Sequence, residues 1–116
     1  MAATIMNTRK GECYLCGCYG HTEEHHIFEG SANRSISEQE GLKVWLCPEC
    51  HRFGKDSIHL DPNSERAINL KKEAQRKWEW KYREEHKEYG NSALMMARLE
   101  FLRLFGKSYL DMTEFL

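Results

Sequence analysis

Two Cys-x-x-Cys pairs, Cys13/Cys16 and Cys47/Cys50, bracket a histidine pair, His25-His26, and a further histidine, His51, directly follows the last cysteine. Each Cys-x-x-Cys turn aims two thiolates at one point, so two such turns can close a tetrahedral Zn²⁺ site. The 30 residues between Cys16 and Cys47 are enough for a hairpin. With four thiols that site is complete, and the histidines fall outside it. They are left for a second metal ion and for acid–base chemistry, which imidazole suits because its unperturbed pKa of about 6.5 leaves it partly neutral near pH 7. On a strand His25 and His26 point to opposite faces, so one could bind a metal while the other stays free as a base. The zinc staple would draw Cys50, and with it His51, back toward this pair. The bland alternatives are two unrelated reduced cysteine pairs or a redox pair, and surface or core histidines. No thioredoxin-like βαβ pattern surrounds either cysteine pair.

The elements that must carry these residues can be read from spacing. Residues 1–11 read as a flexible leader. Residues 12–19 read as a zinc knuckle in which Gly17 permits the tight turn. Residues 25–29 (HHIFE) suit a short strand, and residues 42–46 (LKVWL) a second. Between them, residues 30–41 (GSANRSISEQEG) read as a polar loop with glycine at both ends. Pro48 suits a first helical position, placing Cys50 and His51 in the opening turns of a short helix that Gly54 ends. Asp61-Pro62-Asn63-Ser64 is a turn followed by an N-cap. Residues 65–89 then read as a long helix with the stripe Leu70, Ala74, Trp78, Tyr82, and residues 93–105 as another with Met95, Leu99, Leu102 and Phe105 on one face. The fold class expected is α+β: a zinc-stapled ββα unit over residues 12–62, followed by two C-terminal helices within residues 63–116. Their stripes fit either a cover for the core or a homodimer interface.

Composition bounds the function. The chain has 116 residues, 30% of them charged, with a net charge of -1. Residues 1–59 carry 6 basic against 8 acidic side chains and residues 60–116 carry 11 against 10, so neither half has a bulk basic signal. Nucleic-acid binding would have to rest on local geometry, a bound cation or a few placed Arg and Lys. The first ten residues lack the apolar segment of a signal peptide, and no apolar run is long enough to span a membrane. A cytoplasmic, reducing location is therefore expected, where paired cysteines read as metal ligands. The fifth cysteine, Cys18, weakens a disulfide reading further.

The pattern C-x-x-C … E-H-H-I … L-C-P-E-C-H … H, spanning Cys13 to His59, resembles the HNH endonucleases, whose ββα-metal (treble-clef-like) site is often stapled by a four-cysteine zinc. The likeness is closest to small bacteriophage HNH proteins and extends weakly to Phe105-Gly106-Lys107-Ser108-Tyr109-Leu110. The resemblance implies a metal-dependent DNA endonuclease. His26 matches the general base. His25 and His51 match ligands of a catalytic divalent cation, with His59 a second ligand on the helix side or a substrate contact. The cation implied is Mg²⁺ or Mn²⁺, although a histidine shell also accepts Ni²⁺ or Zn²⁺. The family's central Asn is replaced by Gly41, before Leu42, and Asn33 is the nearest substitute to brace the base. A phage setting implies the host cytoplasm, with recombination or packaging proteins as partners.

Around these residues, Arg34, Lys43, Arg52 and Lys55 are candidates for phosphate positioning, with ordinary surface charge the alternative. Trp78, Trp80 and Tyr82 could stack on bases, but helical spacing favours core packing for Trp78 and Tyr82 and exposure for Trp80. Two other functions fit the same residues: a non-catalytic zinc module that binds DNA or protein, and an RNase on the same scaffold.

Overall fold

Antiparallel strands β1 (Glu23–His26) and β2 (Lys43–Leu46) pair in the register Glu23↔Leu46, Glu24↔Trp45, His25↔Val44 and His26↔Lys43. This arrangement comes from a computed structural model, which describes residues 3–114. The helices are α1 (Ser31–Glu40), α2 (Glu65–Glu85) and α3 (Ser92–Phe105), with a π-helical turn over Glu49–Phe53 and a 3₁₀ turn over Lys87–Tyr89. The chain is thus α+β, with a two-stranded sheet. No helix is long and apolar enough to cross a membrane.

Strand β1 starts two residues earlier than the expected 25–29 and ends at His26, and three other segments depart from the sequence expectation. Residues 31–40, expected as a polar loop, form α1. The helix is held from outside: Ser37 is fully buried and its hydroxyl bonds both the N–H and the carbonyl of Phe28, at 3.1 and 3.2 Å. Trp78 Nε1 donates to Glu40 at 2.9 Å and ties α1 to α2. Tertiary contacts thus override a weak local pattern. The described part of the expected leader is also packed. Met6 is buried, Ile5 N–H donates to Gly41 O at 2.9 Å, and Thr4 Oγ1 donates to Lys43 O at 2.6 Å.

The third departure concerns α3. The stripe Met95, Leu99, Leu102 and Phe105, expected on one face as a cover for the core or a homodimer interface, is divided: Met95, Leu99 and Leu102 are exposed, while Phe105 is buried with Ala93, Ala97 and Phe101. The alanines allow close approach to the neighbouring helix, and Phe101 and Phe105 pack on Phe28 with ring centroids 5.5 and 4.6 Å away. Arg98 is buried beside them and donates to Glu79 of α2 at 2.7 Å. Hydropathy alone favours the larger Met and Leu side chains over this stripe.

The long helix follows its expected pattern more closely. Ser64 caps α2, its hydroxyl accepting from Ala67 N–H at 3.1 Å, and Leu70, Ala74 and Trp78 are buried. One apolar cluster joins Ile27, Phe28, Leu42 and Val44 of the hairpin region to Leu70 and Trp78 of α2 and Phe101 of α3. The C-terminal helices therefore complete the core on which β1 lies.

Candidate metal centres

The first centre is made by local turns. Gly17 adopts φ +79°, a left-handed conformation glycine tolerates. Its N–H donates to Cys13 O at 2.9 Å, closing the first knuckle. Backbone N–H groups also approach sulfur, Cys16 N to Cys13 Sγ at 3.5 Å and Cys50 N to Cys47 Sγ at 3.4 Å. The sulfurs of Cys13, Cys16, Cys47 and Cys50 all lie within 4.8 Å of one another, close enough to hold one metal ion. All are free thiols, and all but Cys16 are buried.

The donor chemistry fits a cation. Burial pushes the Cys13 thiol up, but backbone hydrogen bonds from Cys16, Cys47 and Leu15 outweigh it and bring the group down to about 6. Burial, then the neighbouring thiols, pushes Cys50 up. Four sulfurs this close cannot all ionise without a positive charge among them. The Arg66 guanidinium donates to Cys50 Sγ and supplies part of it. Cys18 lies outside the group of four, exposed, with its sulfur 3.2 Å from that of Cys16.

The second centre joins residues distant in sequence. His25 lies on the buried face of β1, and His51 on the π-helical turn directly after Cys50. His59 arrives by a chain reversal. Ile58 N–H donates to Cys50 O at 2.9 Å and His59 N–H to His51 O at 3.1 Å, so the residue lies beside His51 despite the eight-position gap. Gly54 permits the reversal: a Cβ there would stand 2.7 Å from Glu49 O.

One ring nitrogen from each of His25, His51 and His59 lies within 4.8 Å of the others. His51 Nε2 and His59 Nε2 are 2.9 Å apart. His25 is buried, and its Nε2 has no hydrogen-bond partner. A buried imidazole nitrogen rarely goes unpaired, and a shared cation would satisfy all three. Burial, then the neighbouring His51 and His59, pushes His25 down to about 3 and keeps it in the neutral, ligating form. His59 is also lowered, by burial and then by His51.

Glu23 and Arg52 stand behind this centre. Glu23 Oε1 accepts from His51 Nδ1 at 2.8 Å, which leaves the Nε2 lone pair as the one a cation could take. Arg52 Nε donates to the same carboxylate at 3.0 Å. Arg52 and then His51 hold Glu23 down at about 2, so it stays ionised. Arg52, one of the candidates for phosphate contact, is thus engaged with the carboxylate that holds His51.

The other face of β1 carries a different cluster. His26 Nε2 lies 2.8 Å from Glu38 Oε1, and Lys43 Nζ donates to Glu38 Oε2 at 2.7 Å. Glu24 is 3.5 Å from Lys43 and 3.9 Å from His26. Glu24, His26 and Glu38 are close enough to hold a cation, but the buried Lys43 ammonium already pairs with both carboxylates. Lys43 therefore has internal partners in place of the phosphate role expected of it.

The two faces meet at an open cleft of about 460 Å³, lined by His25, His26, His51 and His59 together with Gly30 and Arg34. Arg34 is exposed and has no ion-pair partner among the described residues. Lys55 is exposed and does not line the cleft. Asn33 is half-buried on α1 and makes no hydrogen bond to His26 among the described residues, whereas Glu38 does. Trp78 is buried and Trp80 exposed, as their spacing suggests. Gly41, where the resemblance noted in the sequence would expect an Asn, has φ +73°, and a Cβ there would stand 2.4 Å from Ala3 O. The side chain is excluded by the ordered N-terminal segment.

Sequence reasoning missed Glu23 and Glu38. Glu23 lies two residues before His25, so strand alternation alone would have placed it on the same face. Glu38 needed α1, for which no local signal stood out. No family model matches this chain, and no curated protein or solved structure shows significant similarity to it.

Proposed function

We propose that this chain is a metal-dependent DNA endonuclease with an HNH-type ββα-metal, treble-clef-like core. Zn²⁺ at Cys13, Cys16, Cys47 and Cys50 would serve as a structural staple, and His25, His51 and His59 would hold a catalytic divalent cation. The observation that carries this reading is the convergence of three histidine nitrogens, one buried and unpaired, beside His26 in one open cleft. The cysteine and histidine pattern that resembles the HNH family supports it.

The residues divide the work. His26 takes a proton from the attacking water. Arg34 and the uncapped start of α1, where Gly30 and Ser31 line the cleft, favour a phosphate there. When bound, a divalent cation supplies positive charge for the phosphate and the departing oxygen. Glu23 and Arg52 keep His51 oriented. The family likeness implies products with 5′-phosphate and 3′-hydroxyl ends.

Cleavage of supercoiled plasmid across Mg²⁺, Mn²⁺, Ni²⁺ and EDTA tests this, with His26→Ala alongside. The expected result is metal-dependent nicking or linearisation, lowered about 10²–10⁴-fold in the variant, with fold and zinc content unchanged. Full activity in His26→Ala would remove the base assignment. Parallel RNA substrates separate a DNase from an RNase. A second reading, a zinc module that binds without cutting, is favoured by the net charge of -1 and by Glu24 and Glu29 at the cleft. It predicts bound zinc and no metal-stimulated cleavage.

A further inference from the structure

The geometry points to Glu38 as the positioning residue for His26: it accepts the Nε2–H and leaves Nδ1 as the nitrogen that takes the proton from water. The catalytic half of this rests on the nuclease reading above; the hydrogen bond itself does not.

Glu38 has its two oxygens divided between two partners. Oε1 faces His26 Nε2 at 2.8 Å and Oε2 accepts from Lys43 Nζ at 2.7 Å. Lys43 is buried on β2 directly opposite His26, so the ammonium is fixed on the same face of the sheet. Its hydrogen bond, then that of His26, holds the Glu38 carboxyl down at about 2. Near neutral pH Glu38 is therefore an acceptor only.

Two acceptors cannot share one hydrogen bond, so Nε2 must carry the hydrogen. In the neutral ring the lone pair then lies on Nδ1. That nitrogen makes no hydrogen bond to the described residues and is not among the buried unpaired atoms, and His26 lines the open cleft. A carboxylate that fixes one imidazole nitrogen while the other faces the reactant both orients the ring and stabilises the charge that develops on it. Gly41 cannot supply a side chain for this purpose. α1, in the connection between the strands, brings Glu38 from three residues before Gly41.

The test uses the full chain, zinc-loaded, with ¹⁵N in the histidine rings, at a pH above the imidazole range. The wild type should show a downfield ring N–H proton, slow to exchange, correlated with His26 Nε2 and absent in Glu38→Ala. In cleavage assays Glu38→Ala should lower kcat roughly 10- to 100-fold, part of what a positioned base contributes, with KM and metal content unchanged. Glu38→Gln, whose amide oxygen still accepts, should keep more of the rate and a weaker signal, and it carries the test if the alanine variant does not fold. A hydrogen on Nδ1 in the wild type, a signal that survives Glu38→Ala, or an unchanged kcat would overturn the assignment. A wild type that cuts no nucleic acid defeats the nuclease reading, while the resonance still decides the role of Glu38.

Discussion

The thiol cluster and the histidine cluster share the Cys50-His51 junction, yet they are built by different means. The thiols come from two self-contained turns, each shaped by its own backbone hydrogen bonds, and three of the four are buried. The histidines come from β1, the π-helical turn and a chain reversal, are braced by Glu23 and Arg52, and line an open cleft. A closed, all-sulfur site suits a staple, whereas an open nitrogen site leaves room for a substrate. The difference should appear as a separation of stability from chemistry.

The largest effect should come from breaking the staple. Replacing Cys47 with Ser removes a buried ligand from a small domain whose core the metal would tie together. Structural zinc contributes apparent free energies of about 10–16 kcal/mol in small zinc-folded units, so Cys47→Ser should abolish cooperative thermal unfolding. His51→Ala should instead keep a cooperative transition and lose only the second equivalent of metal. Calorimetry with metal analysis on both variants checks this, and equal collapse would show that the two centres are one structural unit.

A smaller effect should come from behind the histidines. Glu23→Gln retains an acceptor but loses the charge that orients His51 and pairs with Arg52. Such outer contacts typically change metal affinity about 10–100-fold. Titration should show weaker binding at the histidine centre and unchanged binding at the thiols. A loss at the thiols would mean that Glu23 supports the hairpin as a whole.

The same contrast explains what the sequence revealed. Cys-x-x-Cys spacing is a local code, and strand alternation correctly separated His25 from His26, so the thiol centre and the two faces of β1 were legible. His59 was ambiguous because its placement depends on Ile58 and His59 pairing with the backbone of Cys50 and His51, a return that spacing does not encode. Glu38 was hidden because α1 has only Ala32 and Ile36 as apolar residues and is fixed by Ser37 against Phe28 and by Glu40 against Trp78. The stripe expected on α3 is divided, with Phe105 buried and Met95 and Leu99 exposed, because the close approach of two alanines to α2 and a buried Arg98–Glu79 pair set the orientation of the helix.

Acid should sharpen the comparison by the smallest margin. With zinc at the thiols and the histidine centre left free, His25 has a folded pKa near 3 against an ordinary value of 6.5. Between these values the unfolded chain binds a proton that the folded chain refuses. Stability should therefore fall as pH drops from about 6.5, by at most about 1.4 kcal/mol per pH unit for this one group. Glu23 and Glu38, held near 2 against 4.5, follow the carboxylate pattern. Their contribution is present above 4.5 and is lost only as pH falls from there toward 2. A His25→Leu variant, which keeps the site apolar and uncharged, should flatten the fall between pH 6.5 and 4.5 and leave the steeper loss below 4.5. Denaturant unfolding at half-unit pH steps would show it. An unchanged slope in the upper window would mean that His25 is already protonated in the folded chain, which is incompatible with the role proposed for it as a metal ligand.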